Sequence, residues 1–278
     1  MTLLLLFVSP SALAGPWFGR VLITNDDGID NPRLKVLALA FSEVADVVVV
    51  APLTNCSGST NYISAFQRKE LTIEKRDWGE EITVWAVDGF PGDCVMLALT
   101  GMMVDNPPDL VVSGVNSGPN LADAYLASGT IGAVRIAAQL GVPAIAFSNL
   151  KVDNPSMMTA VPQWCVQLAD EPFTRDLEPG EYLTVNFPNG EASAVKGACW
   201  AGLGQQVFHD AFDSAGADDQ GRHIWRNRFW FDEGDNQPAA GDVARHREGW
   251  ITISPMRLGD LDETSLGEAG EIPGWLSH

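Results

Sequence analysis

The stretch Arg20-Val21-Leu22-Ile23-Thr24-Asn25-Asp26-Asp27-Gly28-Ile29 decides how this chain is read. Its first half is apolar and rich in β-branched residues, which predicts a buried strand over 20–24. The run ends abruptly in Asn25-Asp26-Asp27-Gly28. Adjacent carboxylates repel each other and resist burial. Alone, Asp-Asp-Gly reads as a turn or a helix cap. Its meaning depends on what else gathers at that strand end.

Working outward, apolar strands alternate with helical patterns through the first half. Residues 32–44 predict a helix, with Leu34, Leu37, Ala38 and Phe41 on one face and Pro32 at its start. Residues 46–51, Asp-Val-Val-Val-Val-Ala, form a continuous β-branched run suited to a strand covered on both faces. Further strands are expected over 83–87, 110–113 and 143–147, and helices over 91–100 and 130–140. Such a βαβ rhythm implies an α/β fold with a doubly wound, mostly parallel, Rossmann-like sheet. The rhythm fails after about residue 187. A core over about 20–190, a β-rich C-terminal excursion over about 199–236 and a final strand over 249–254 are expected, all within one domain spanning 16–278.

The chain has 278 residues, 46% of them apolar, enough for a substantial core. Its 36 acidic residues against 17 basic ones give a formal charge of −19. That surface repels nucleic-acid backbones, so no polymeric DNA or RNA partner is expected. Residues 1–15 carry an apolar run closed by Ala12-Leu13-Ala14, which reads as a signal peptide without its basic start. Export to the periplasm or outside the cell is the expectation, with a cytoplasmic location as the alternative. No segment is long enough to span a membrane. The four cysteines, Cys56, Cys94, Cys165 and Cys199, match no zinc spacing, and a disulfide stays open.

In open α/β sheets, ligands bind beyond the carboxyl ends of the strands. Three polar loops leave such ends: Asn25 to Gly28, Pro52 to Asn61, and Ser113 to Asn120, the last continuing to Ser128-Gly129-Thr130. If their strands are neighbours, carboxylates, hydroxyls and carboxamides converge. An all-oxygen set suits Mg²⁺, Mn²⁺ or Ca²⁺, and such an ion offsets the repulsion between Asp26 and Asp27. Ser128-Gly129-Thr130 opens a helix whose N-terminal N–H groups can receive an anion. Metal beside helix terminus suggests metal-assisted phosphoryl chemistry. There is no Gly-x-Ser-x-Gly elbow and no Gly-Lys-Ser/Thr phosphate loop. His209, His223, His246 and His278 show no paired ligand spacing.

The segments "NDDG", "VVVVAPLTNCSGSTN", "PDLVVSGVNSGPNL" and "SGTIGAVRIAAQLGVPAIAFS" resemble the SurE family of 5′-nucleotidases. The resemblance runs in register from about Val21 to Ser148, with weaker echoes at 182–188 and 241–255. It implies a Rossmann-like core with a β-hairpin extension and a homodimer or homotetramer. It also implies hydrolysis of nucleoside monophosphates with a divalent metal, Mg²⁺ or Mn²⁺; broad phosphatase or short-chain polyphosphatase activity, and non-catalytic nucleotide binding, are the alternatives. Matched motif to motif, the metal ligands become Asp26, Asp27, Ser57 and Asn116, with the two aspartates as the catalytic residues. Asn25, Asn61, Asn120, Ser128, Gly129 and Thr130 fall where the family lines its phosphate pocket. Cys56 stands where the family often carries Arg.

Overall fold

A computed structural model describes residues 15–79, 82–205, 207–232 and 237–259. The expected signal peptide, apart from Gly15, lies outside the described residues.

The strands are β1 (Arg20–Thr24), β2 (Asp46–Pro52), β3 (Ile73–Arg76), β4 (Thr83–Val87), β5 (Leu110–Asn116), β6 (Ala144–Ser148), β7 (Glu181–Asn186), β8 (Ala198–Trp200), β9 (Val207–Ala217), β10 (His223–Asp232) and β11 (Ile251–Arg257). The helices are α1 (Pro32–Ser42), α2 (Pro91–Leu97), α3 (Gly129–Gln139), α4 (Pro155–Asp170), α5 (Pro172–Arg175) and α6 (Asp242–Arg247). Among the described residues, nine strands form one sheet in the order β3-β4-β2-β1-β5-β6-β7-β11-β8, and β9 pairs with β10 in a separate antiparallel hairpin.

From β4 to β7 the sheet is parallel. β1 lies between β2 and β5, with Ile23 opposite Val49 on one side and Val112 on the other. The chain leaves β1 toward β2 and later returns on the opposite side at β5. The sheet therefore reverses its winding beside β1, where open α/β folds form their ligand crevice.

Side chains of one strand alternate between two cores. Val21 and Ile23 join Leu34, Leu37 and Phe41 of α1 and Val161, Cys165 and Leu168 of α4. Leu22 joins Cys94 and Val95 of α2 and Ile131, Val134 and Ile136 of α3. Helices thus cover both faces, which explains why β1 and β2 lack a polar face.

Several boundaries differ from expectation. β5 runs on to Asn116 rather than stopping at 113, because a register irregularity against β6 between Ser113 and Asn116 carries it past Gly114. Gly114 has φ +131°, and an added Cβ would overlap the Phe147 carbonyl oxygen. Only glycine fits there. α1 ends at Ser42, short of the expected 44. α4 was not foreseen; Pro162 interrupts its helical pattern. The expected β-rich excursion resolves into β8, which joins the main sheet in parallel with β11, and the β9–β10 hairpin. β11 begins at Ile251 and runs to Arg257, antiparallel to β7.

Candidate active site at the end of the central strand

The loops after β1, β2 and β5 leave the same edge of the sheet, and two of them are bonded directly. Cys56 N–H donates to the Asp26 carbonyl oxygen at 2.7 Å, and Ile29 N–H donates to the Pro52 carbonyl at 2.8 Å. The N-terminal side of α3 joins the second loop through Thr60 N–H to the Ala127 carbonyl at 3.3 Å.

Asn25 builds the turn itself. Its Oδ1 accepts from Gly28 N–H at 3.2 Å and its Nδ2 donates to the Gly28 carbonyl at 3.0 Å. Gly28 has φ +100°, a conformation that favours glycine. Asn25 and Asp26 are both buried by this turn.

Asp26 Oδ1 accepts from Thr130 Oγ1 at 2.6 Å. Burial holds the Asp26 carboxyl above the usual carboxylate range; the Thr130 hydroxyl pulls it back down, and the Asp27 charge raises it again. Asp27 has a different partner: its Oδ2 lies 2.9 Å from an Arg33 terminal nitrogen, both side chains being nearly buried. Arg33 also donates from Nε to the Val115 carbonyl at 3.1 Å.

Ser128 caps α3, its Oγ accepting from Ile131 N–H at 3.2 Å. Gly129 opens the helix against Asp26. A Cβ there would lie 2.6 Å from Ser59 Oγ, 2.8 Å from Asp26 Cβ and 3.0 Å from Asp26 Oδ2. The helix N-terminus thus stands directly against the Asp26 carboxylate.

Ser57 is exposed in the second loop, with its N–H donating to Asn55 Oδ1 at 2.8 Å. Asn116 Nδ2 donates to the Gly118 carbonyl at 3.0 Å, leaving its Oδ1 for another donor or a cation. Asn61 Oδ1 and Ser59 Oγ are buried with no hydrogen-bond partner among the described residues. Asn120 is committed to a buried network: its Nδ2 donates to Ser148 Oγ at 2.8 Å and its N–H to Asn186 Oδ1 at 2.7 Å. The structure therefore brings Asp26, Thr130, Gly129 and Ser59 into contact. Ser57 stands on the loop after β2 and Asn116 at the end of β5.

Among the described residues, no three His, Cys, Asp or Glu side chains cluster as a metal site. Two carboxylates with neutral amide and hydroxyl oxygens remain, a hard-oxygen set that fits a divalent ion of the Mg²⁺ or Mn²⁺ type. The partnerless buried oxygens of Ser59 and Asn61 beside this set are consistent with an absent group, since buried polar atoms are ordinarily satisfied.

Sequence reasoning missed Arg33 and Ser59. Arg33 carried a signal: a cation in the first turn of a helix opposes the helix dipole and needs another reason to be there. Ser59 carried none beyond its place in a polar loop. His246, which shows no paired ligand spacing in the sequence, is buried, with Nε2 2.9 Å from the Phe187 carbonyl and 3.1 Å from Asn149 Nδ2.

A fold wound in opposite senses about β1, with acidic and phosphate-type binding groups at that point, defines a class of α/β ligand-binding proteins. The family model described as Survival protein SurE matches residues 21–210, and the chain belongs to the SurE family. It is 34% identical over 258 residues to a 5′-nucleotidase SurE of Rubrobacter xylanophilus, covering 90% of this chain and 95% of that protein. It is 32% identical over 273 residues to a 5′/3′-nucleotidase SurE of Edwardsiella ictaluri, covering 93% and 96%. The crystal structure of the SurE protein from Aquifex aeolicus superposes with a TM-score of 0.73 at 28% identity, covering 90% of this chain and 97% of that one.

Proposed function

We propose that this chain is a metal-dependent nucleotidase that hydrolyses nucleoside 5′-monophosphates to nucleoside and phosphate. The observation that carries the reading is the junction of the α3 N-terminus with the Asp26–Asp27 turn through the Thr130–Asp26 hydrogen bond. One end of that junction is built for an anion and the other for a cation. A metal-bound phosphomonoester requires both at once.

Asp26 and Asp27, with Ser57 and Asn116, would hold the ion, Mg²⁺ or Mn²⁺. When bound, it polarises the phosphoryl oxygens and lowers the pKa of water. The chain's own groups do the rest. Gly129, whose close approach to Asp26 leaves no room for a side chain, opens the helix end that would face the charge growing on the phosphoryl oxygens; the Thr130 N–H is engaged by the Asp26 carboxylate. Thr130 holds the Asp26 carboxylate in one orientation, and Arg33 does the same for Asp27. Asn25 keeps both on the rigid turn, which limits reorganisation when substrate arrives. Asn61 and Asn120 are assigned to the phosphate pocket on the family pattern; Asn120 acts through the buried Ser148 and Asn186 network rather than with a free amide.

Two further assignments complete the reading. Export is supported by the leader-like residues 1–15 and is checked by sequencing the mature N-terminus. A homodimer or homotetramer is supported by the β9–β10 hairpin, which stands outside the main sheet and exposes Phe212, Ile224 and Trp225. Light scattering of the intact protein and of a chain lacking the hairpin checks it.

The enzymatic test is phosphate release from AMP, GMP and a simple aryl phosphate with Mn²⁺. Nucleotides hydrolysed well ahead of the aryl ester support the nucleotidase. Equal rates on all three identify a broad phosphatase, and binding without release identifies a nucleotide-binding protein.

A further inference from the structure

We propose that Arg33 is a built-in counter-charge that clamps Asp27 and holds the divalent-ion affinity of the carboxylate pair below what two unpaired aspartates would give. This rests on the metal-dependent reading of the same site.

Arg33 sits in an unfavourable place for an arginine. It lies in the first turn of α1, where a cation opposes the helix dipole, and that turn contains no acidic residue. It is also only 7% exposed, and burying a guanidinium is costly without close partners. Its two partners both belong to the candidate site. One terminal nitrogen lies 2.9 Å from Asp27 Oδ2, and Nε donates to the Val115 carbonyl at 3.1 Å. Val115 immediately precedes Asn116. A single guanidinium therefore ties the turn after β1 to the end of β5, the two segments that carry Asp27 and Asn116.

The charge is permanent, because a guanidinium does not deprotonate in proteins. With Asp26, Asp27 and Arg33 counted as −1, −1 and +1, the cluster carries −1 instead of −2. The contact is one of charge: Oδ2 of Asp27 lies 2.9 Å from the guanidinium and, among the described residues, accepts no hydrogen bond. Two effects on an arriving dication then oppose each other. Clamping Asp27 favours binding, but the carboxylate is already confined, its side chain being 5% exposed. The guanidinium charge opposes binding, acts on a doubly charged ion at short range, and is weakly screened in a buried setting. The charge effect is the larger, so Arg33 weakens the site while ordering it. It is a positioning residue, acting through Asp27 and the Val115 carbonyl.

The test is calorimetric titration of the full chain with Mn²⁺ for the wild type, Arg33→Met, Arg33→Gln and Arg33→Lys. Both neutral variants are expected to bind Mn²⁺ on the order of tenfold more tightly. They should also gain more thermal stabilisation from saturating Mn²⁺ than the wild type gains. Arg33→Lys keeps the charge and should bind Mn²⁺ close to the wild type. Turnover should fall in all three, because each loses the two-point clamp. A purely structural arginine moves none of these affinities upward. Unchanged or weaker Mn²⁺ binding in the neutral variants overturns this inference and leaves metal dependence standing. Failure of both neutral variants to fold likewise overturns it, as a structural role would then suffice. Absence of Mn²⁺ binding by the wild type overturns the metal reading and this inference together.

Discussion

Thr130 Oγ1 donates to Asp26 Oδ1 at 2.6 Å across 104 residues of chain. This bond fastens the first turn of α3 to the turn after β1, so the helix start and the Asp26 carboxylate hold one fixed relation. Removing it tests that relation. Thr130→Val keeps the shape and deletes the hydroxyl donor from a buried carboxylate, which keeps its backbone N–H partners. The expected cost is about 1–3 kcal/mol of folding stability in metal-free protein, read by urea denaturation. Thr130→Ser retains the hydroxyl and should stay near the wild type. Equal stability of Val and Thr at this position would remove the bond from the account.

Asp26 should trade stability for function. Burial raises its carboxyl above the ordinary value of 3.8. Below 3.8 both folded and unfolded chains hold the proton. As pH rises through 3.8 the unfolded chain ionises first, so the metal-free fold loses stability until the raised folded value is passed. Asp26→Asn has no such loss. In chelator it should be more stable than the wild type at neutral pH, with the gap closing toward pH 4 in urea melts. Its hydrolytic rate should fall by more than the roughly 10–100-fold typical of outer-shell partners of a metal.

Two glycines of α3 make graded predictions. In Gly132→Ala the new Cβ overlaps the Thr60 carbonyl oxygen, backbone that cannot move aside easily. In Gly129→Ala it meets mainly side chains, Ser59 Oγ at 2.6 Å and Asp26 Cβ at 2.8 Å. Overpacking costs about 1–3 kcal/mol and more against rigid backbone. Gly132→Ala should therefore be the less stable variant in denaturant melts, while Gly129→Ala should lose activity out of proportion to its stability. The reverse order of stability would place the loop 57–61 elsewhere.

The four cysteines are free. Cys94 and Cys165 are fully buried, and burial pushes both thiols well above their usual range. Cys56 and Cys199 are half-buried. A reducing agent should leave the melting temperature unchanged. A thiol reagent should modify Cys56 and Cys199 in the native protein and reach Cys94 and Cys165 only after unfolding. A fall in melting temperature on reduction would contradict the free-thiol state.

The central sheet was legible because its signals are local. Val47 to Val50 can hardly be anything but a two-sided buried strand, and Ser128 with Gly129 marks a helix start from sequence alone. What escaped depends on contacts between distant segments or on a broken pattern. α4 places Met157, Val161, Cys165 and Leu168 on one buried stripe, yet Pro162 stands inside it, a residue that in sequence marks the end of a helix. The register irregularity that carries β5 to Asn116 reflects packing against Phe147, invisible in the local run Val-Val-Ser-Gly. In the candidate site, the paired aspartates and the helix start stood out as residue types. The different partners of the two aspartates did not, because the chain must fold before Thr130 meets Asp26 or α1 turns Arg33 back onto Asp27.

The central claim is that the Asp26–Asp27 turn serves a divalent ion in phosphate release. The most direct measurement is hydrolysis of AMP by the purified full chain with Mn²⁺, then with excess chelator, then with Mn²⁺ restored. The account predicts release that stops in chelator, returns on adding Mn²⁺ back, and is lost in Asp26→Asn under every condition. Undiminished release in chelator, or full activity of Asp26→Asn, would contradict it.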